Sequence, residues 1–220
     1  MPSAVIELLV LAGIAIFLIL RLRNVLGTRG GFEGTTPPAP LPGTAPKRRG
    51  FEVIEGGPDR DITDHAADGS DAAKALAAMK LVEPAFSVSG FLQGARGAYE
   101  MILTAFAKGE MDRIRQFLSP EVADSFSAVV ADRKARSLTV STDFVGLREL
   151  ALHGAEFDRA SGEAEITVRF VAELVSATRD ASGEVVEGDS KSARKQKDLW
   201  TFARTMGGND PNWQLVATGE

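Results

Sequence analysis

Residues 164–174 read AEITVRFVAEL, and apolar and polar side chains alternate along nearly the whole stretch. Successive side chains of a β-strand point to opposite faces of the sheet, so this alternation predicts a strand with one buried and one wet face. It is the clearest two-residue periodicity in the chain. The side chains predicted to face the core are those of Ala164, Ile166, Val168, Phe170, Ala172 and Leu174.

Similar alternation flanks this strand on both sides. Upstream it runs from Leu138 to Phe144 and slips by one position near Gly146, which indicates a β-bulge or a bend. Downstream, the sequences RDASGE at 179–184 and GGNDPN at 207–212 are typical of turns and separate two further strands. Their predicted inward side chains are Trp200, Phe202, Trp213, Leu215 and Ala217.

Helical periodicity dominates upstream of the strands. In FLQGARGAYEMILTAFAKGEMDRIRQFLSPEV, residues 91–122, Gly109 is predicted to end one helix, and Ser119 followed by Pro120 to begin another. Residues 71–84 predict an earlier helix with Asp71 as its N-cap. The apolar faces of these helices comprise Leu76, Met79, Phe91, Ala95, Tyr99, Ile102, Leu103, Phe106, Val122, Phe126, Val129 and Val130.

Helices followed by antiparallel strands with one wet face predict an α+β domain over residues 71–220. The N-terminal helices are expected to pack on the apolar face of a curved antiparallel sheet of about four strands. A cone with a central pocket is the expected shape.

Composition excludes several classes of protein. The chain has 220 residues, a formal charge of −5, no cysteine and two histidines. Disulfides, cysteine-ligated zinc, iron–sulfur clusters and thiol catalysis are excluded, and a histidine-rich metal site cannot be built. The acidic balance argues against nucleic acid as a partner.

The N-terminus predicts a single-pass membrane anchor over residues 1–23. The apolar segment Ala4–Leu20 would span about 26 Å as a helix, close to the thickness of a bilayer core. A cleaved signal peptide is the alternative, but it requires basic residues before the apolar run, and here Arg21, Arg23 and Arg29 follow it. The positive-inside rule then places the C-terminal domain in the cytoplasm, or its equivalent.

A flexible linker is predicted over residues 24–70, because this part is rich in Gly, Pro and Thr and has too little apolar surface to order itself. Its basic residues Lys47, Arg48 and Arg49 are candidates for contact with anionic lipid headgroups. The alternative is that they only solubilise the linker.

Several ordered blocks resemble the Tim44-like domain family over roughly residues 80–220. They are EPAFSVSGFLQGARGAYEMILTAFAKGEMDRIRQFLSPEV at 83–122, EITVRF at 165–170, GEVVEGD at 183–189, and DLWTFAR with DPNWQLVAT at 198–218. The family includes the mitochondrial inner-membrane import motor anchor and bacterial inner-membrane relatives of the Tim-A type. The short anchor and Pro-rich linker resemble the bacterial members.

The resemblance implies a cone-shaped fold similar to nuclear-transport-factor-two-like domains. It also implies a pocket lined by apolar groups, contact with anionic lipid, and an adaptor or tethering role near membrane protein machinery. It does not imply that this chain itself imports proteins. The expected partners are therefore the inner membrane, anionic lipid and an unidentified membrane or peripheral protein.

Two sets of residues are candidates for binding. The first is an aromatic pocket lining, for which plain core packing is the alternative: Tyr99, Phe106, Phe126, Trp200, Phe202 and Trp213. The second belongs to SKSARKQK at 190–197, predicted as a hairpin loop that contacts headgroups or an acidic partner unless it is merely solvated: Lys191, Arg194, Lys195 and Lys197.

Catalysis would require a tuned acid or base inside the pocket. Most ionisable side chains of the predicted strands fall on the alternate face, and Asp198, in phase with Trp200, falls at a predicted strand start. Tyr99 is predicted to be a core residue whose hydroxyl finds a partner. We therefore expect a non-catalytic binding module without cofactor or metal, with a small-molecule enzyme or a lipid carrier as the alternatives.

Overall fold

The computed structural model describes residues 59–219. The helical part comprises α1 (Arg60–Thr63), α2 (Asp71–Val82), α3 (Val88–Lys108), α4 (Met111–Ile114), a 3-10 turn (Arg115–Phe117) and α5 (Pro120–Ala135). The strands are β1 (Thr139–Phe157), β2 (Glu163–Arg179), β3 (Val185–Thr205) and β4 (Gln214–Gly219).

The four strands form one antiparallel sheet in the order β1-β2-β3-β4. Together with the preceding helices this confirms the α+β class. The slip predicted near Gly146 is also confirmed, because the pairing of β1 with β2 changes register between Phe144 and Gly146. Both predicted turns lie between strands.

The core lies between one face of the sheet and the helices. All six inward side chains predicted on residues 164–174 are buried, and Leu76, Met79, Tyr99 and Ile102 of the helices are also buried. Helices α2 and α3 lie against β1. Gly109 ends α3 in the left-handed conformation, with φ of 73°, as its sequence position predicted.

Helix α5 crosses the sheet from one edge to the other. It begins beside β4, where the Ser119 N–H donates to the Leu215 carbonyl at 2.9 Å, and it leads directly into β1. The predicted cap is confirmed, since the Ser119 side chain accepts from Val122 N and Pro120 occupies the first turn. The predicted burial of Val129 is wrong, because that side chain is 43% exposed.

Regular structure is present before residue 71, where the predicted domain began. Helix α1 lies within the predicted linker, and its Ile62 is buried in the core. The N-cap of α2 is Ser70, not Asp71, because the Ser70 hydroxyl accepts from Ala73 N at 3.1 Å. The short polar stretch that contains α1 therefore folds because its few apolar side chains are buried against the neighbouring helices.

Asp61 fastens α1 to the start of α3. Its carboxylate accepts from Val88 N at 2.8 Å and Ser89 N at 3.0 Å, and it pairs with Lys80 at 2.7 Å. Burial raises the pKa of Asp61, but the hydrogen bonds from Lys80, Ser89 and Val88 outweigh it and lower the pKa far below its ordinary value. The carboxylate thus stays charged at the positive end of the helix.

The predicted anchor at 1–23, most of the linker, and Lys47, Arg48 and Arg49 lie outside the described residues. Within residues 59–219, no helix is both long enough and apolar enough to cross a bilayer.

The prediction of a loop at residues 190–197 is wrong, because these residues belong to β3. Within this stretch Arg194–Lys197 pair with β2, whereas Ser190–Ala193 bulge from the ladder, and the pairing on both sides of the bulge imposes extended backbone on a sequence whose own composition favours a loop.

Candidate functional site

A large groove opens beneath the C-terminal half of α5. Its volume is about 1140 Å³. It forms where α5 crosses the ends of the first three strands without packing closely on them. Its lining residues are Val129, Asp132, Arg133, Arg136, Leu138, Val140, Leu174, Ser176, Thr178, Val186, Glu187, Gly188, Arg194, Lys195, Gln196 and Lys197.

The groove lining is strongly basic. Five cationic residues, Arg133, Arg136, Arg194, Lys195 and Lys197, border the groove with two carboxylates, Asp132 and Glu187, a formal charge of +3 in all. Strand alternation places Lys195 and Lys197 at the rim, on the face of β3 opposite Arg194. The whole chain carries −5. A concave surface of one sign, partly walled by protein, concentrates ligands of the opposite sign. The groove therefore suits an anionic ligand.

Arg133 is the most enclosed cation of the groove. Its guanidinium carbon lies 4.5 Å from the centre of the Phe106 ring, a cation–π contact. Burial lowers the pKa of Arg133, and the carboxylate of Glu187 partly offsets this. Within the described chain no group accepts a hydrogen bond from its buried Nη1 atom.

The inner face of β3 changes character along the strand. Trp200 and Phe202 are buried in the core, whereas Asp198, Gln196 and Arg194 follow on the same face toward the groove. Their β2 partners in the ladder, Phe170, Ala172 and Leu174, all face the core.

Asp198 lies in the middle of β3 rather than at a strand start, so that prediction is wrong. Its Oδ2 atom accepts from the Tyr99 hydroxyl at 2.5 Å and from Gln196 Nε2 at 2.9 Å. The prediction that the Tyr99 hydroxyl would find a partner in the core is confirmed. Burial and then Asp198 raise the pKa of Tyr99, which keeps the hydroxyl protonated as a donor.

The Tyr99–Asp198 pair is sealed. Tyr99 has no exposed surface and Asp198 is 9% exposed, and the Tyr99 ring stacks on Phe170 with centroids 4.2 Å apart. Of this network only Gln196 lines the groove. The pair therefore orients the Gln196 amide at the groove wall, and contact with a ligand in the groove falls to Gln196.

The profile of the Tim44-like domain family matches residues 72–220. The chain belongs to the Tim44-like domain family. None of the curated proteins compared with the chain matches it. One solved structure that it resembles is the crystal structure of the intermembrane space region of chloroplast protein ARC6. That likeness has 9% identity and a TM-score of 0.40, covers 58% of this chain and 94% of that one, and carries no argument about function.

Family membership supports a general role as a membrane-associated protein-interaction module. For this Tim44-like domain, the question is which surface does the binding, and the predicted candidate residues divide sharply between core and surface.

The six predicted aromatic residues do not line one pocket. Tyr99 and Trp200 lie in the central stack, with ring centroids 4.7 Å apart. Phe106 and Phe126 contact each other at 4.4 Å. Phe202 and Trp213 flank Phe91 beside a second hollow of about 460 Å³. None of the six is among the residues that line the large groove.

The second hollow is closed at one end by an ion pair. Arg204 Nη2 donates to Glu83 Oε2 at 2.7 Å, and the guanidinium lies over the Trp213 ring at 5.2 Å. The Arg204 side chain is only 7% exposed. The contact ties the C-terminal end of α2 to β3, so it stabilises the domain.

The predicted basic set is partly brought together. Arg194, Lys195 and Lys197 line the groove, whereas Lys191 lies in a bulge of β3 outside the lining. Sequence reasoning missed Arg133, Arg136 and Gln196. The two arginines, three residues apart near the end of a predicted helix, share one helical face and could have been found by that spacing.

Within residues 59–219, no group of three or more His, Asp or Glu side chains is placed to hold a metal ion. What the described groove offers is positive charge, a fixed amide and exposed apolar patches such as Val129. These are groups for holding a ligand.

Proposed function

We propose that this Tim44-like protein is a membrane-tethered, non-catalytic adaptor whose basic groove binds an anionic partner, either an acidic protein segment or an anionic lipid headgroup. The observation that carries the proposal is the sign of the groove. Five cations gather around one concavity of a chain whose total charge is −5.

Tethering is supported by the sequence at the N-terminus. The apolar segment at residues 4–20 is followed by Arg21, Arg23 and Arg29, which favours a single pass with the folded domain in the cytoplasm. Protease added to inverted bacterial membrane vesicles should digest the domain. Digestion in spheroplasts but not in inverted vesicles would contradict this orientation.

The groove is tested with the full-length chain in nanodiscs of neutral lipid. Reversal of two exposed groove cations, Arg136→Glu with Arg194→Glu, should weaken binding to phosphatidylglycerol vesicles and to acidic peptides by about tenfold or more. The matched control reverses Arg159 and Lys108, which are exposed and lie outside the groove lining.

Binding that rises with salt, or that the control pair weakens equally, would count against the groove, because screening must reduce a specific electrostatic contact. Unchanged affinity in the Arg136→Glu, Arg194→Glu variant for both kinds of ligand would remove the basis of the proposal.

A small-molecule enzyme is the second candidate, and one observation favours it. Asp198 and Tyr99 lie within hydrogen-bond reach, as a catalytic pair in a cone-shaped pocket would. Their burial argues the other way, since a substrate in the groove meets Gln196 first. Tyr99→Phe separates the two candidates: an enzyme would lose turnover, whereas an adaptor would keep most of its affinity, because the groove cations remain and only the orientation of the Gln196 amide is changed.

A further inference from the structure

Strand β3 has an open edge. Strand β4 pairs with β3 only from Leu199 to Ala203, yet β3 continues back to Val185. Within residues 59–219, no strand pairs with Arg194–Lys197 on the β4 side. We refer to Arg194–Lys197 as the open edge.

The open edge is regular strand. Its four residues pair in unbroken register with Val171–Leu174 of β2, and the register breaks only beyond Arg194, where Ser190–Ala193 bulge out. In such a ladder every second residue directs its N–H and C=O away from the paired neighbour. An edge of this kind is a template for one more strand.

The charge of the open edge selects the added strand. Arg194, Lys195 and Lys197 lie on it and Lys191 lies beside it, and none of the four forms a salt bridge with any residue in 59–219. Like charges placed opposite each other oppose pairing, which disfavours a second copy of this edge. A strand with acidic side chains would therefore be stabilised at this edge by the cations, whereas a strand with basic side chains would be repelled.

Backbone groups also separate the two anionic partners. A lipid headgroup uses the cations but has no row of amides to pair with a strand edge, whereas an extended peptide uses both. We propose that the open edge binds an acidic, extended segment of a partner protein as an added strand, in line with β4. This inference rests on the proposed adaptor function.

The register predicts where the acidic residues of the partner lie. Lys195 and Lys197 share one face of β3, and Arg194 and Gln196 share the other, which faces the groove. A bound strand with carboxylates at alternate positions therefore sets them beside Lys195 and Lys197.

The test uses the full-length chain in neutral nanodiscs and a synthetic peptide of about eight residues in which Glu and Thr alternate. A second peptide carries the same side chains with alternate backbone amides N-methylated. We expect the methylated peptide to bind about tenfold more weakly or worse, because it cannot complete the ladder. Amide exchange should slow at those residues of Arg194–Lys197 whose N–H groups face the added strand, and stay unchanged along β1, at the far edge of the sheet.

Substitution of the cations supplies the matched arm. Lys195→Gln with Lys197→Gln should weaken the unmethylated peptide by about fivefold or more, whereas Arg159→Gln with Lys108→Gln should leave it unchanged. Equal binding of the two peptides, or protection confined to β1, would overturn the added strand. If the two peptides bind equally but binding still depends on the groove cations, or if only anionic vesicles bind, the proposed adaptor function stands and only the added strand is excluded. If no binding depends on the groove cations, the adaptor function and the added strand are both excluded.

Discussion

The two halves of β3 pair with the same neighbour and yet lie in opposite surroundings. In the sealed half, Asp198–Thr205, the inward side chains are buried against α3 and β4 borders the strand, whereas in the open half, Val185–Lys197, nearly every residue is exposed. Both halves hydrogen-bond to β2. Pairing with β2 is therefore enough to form the strand. Burial of its side chains in the core also requires the helices and a second neighbouring strand.

The difference also separates stability from recognition. Apolar area removed from water stabilises the sealed half, at about 25 cal/mol per Å². The open half buries little, so its cations keep their freedom to meet a ligand. Substitutions on the two sides of the boundary at Asp198 should accordingly change different measurements.

The largest expected effect belongs to the core against which the sealed half packs, at the β2 residue paired with Asp198. Phe170→Ala removes a fully buried ring that stacks on Tyr99 at 4.2 Å, so it should lower the free energy of unfolding by about 3–5 kcal/mol. Urea denaturation of the full-length chain in detergent, followed by circular dichroism, measures this. If that variant does not fold, Phe170→Leu should still cost about 1 kcal/mol. A loss below 0.5 kcal/mol in both would mean that the stack is not the core.

The sequence predicted the core strand β2 well and the open half of β3 poorly, for one physical reason. Ala164–Leu174 alternates strongly because one face meets the core, so the pattern carries the strand and its inward side. Residues 190–197 have no buried face to impose alternation. Their composition favours a loop, and only pairing with β2, separated from them along the chain by the 179–184 turn, makes them a strand.

The candidate site divides in the same way. Arg194, Lys195 and Lys197 were found by composition alone, because charge needs no periodicity. Sequence reasoning missed the opposite wall of the groove, Arg133 and Arg136. Local sequence patterns do not indicate which helix crosses which strand in the folded domain. The aromatic residues were predicted as a single pocket lining. Phe106 and Phe126 instead form a separate pair, and the other four belong to one run of core ring contacts, because the same side chains serve core and pocket equally well.

The next effect tests the fastening of the sealed half to α2. Glu83→Gln leaves Arg204, 7% exposed, without its carboxylate, and should cost about 2 kcal/mol. The Arg204 hydrogen bond holds the pKa of Glu83 below its ordinary value, so the wild-type contribution is present above about pH 4.3 and is lost as pH falls through the lowered pKa. Denaturation curves of both proteins should therefore converge at acid pH. A constant gap would contradict the ion pair.

A smaller effect is expected where the open half needs a defined backbone. Gly188 has φ of 81°, and an added Cβ would lie 2.2 Å from the Ser176 carbonyl oxygen. Gly188→Ala should cost roughly 1–2 kcal/mol and speed amide exchange in residues 185–189. Gly146→Ala is the control, since nothing lies within 4 Å of a Cβ there. If the two variants lost the same stability and showed the same amide exchange, the open half would not require the backbone conformation that glycine provides at residue 188.

The smallest expected change in stability belongs to the cations themselves. Arg194→Ala and Lys197→Ala remove exposed side chains that form no salt bridge within the described part, so each should shift the free energy of unfolding by less than about 0.5 kcal/mol. The same variants should weaken binding of an acidic ligand. This change is measured in a binding experiment, because thermal or urea unfolding of the free protein does not report it. If removal of either cation lowered the free energy of unfolding as much as Glu83→Gln does, that cation would be part of what stabilises the fold. The boundary at Asp198 would then no longer divide stability from recognition.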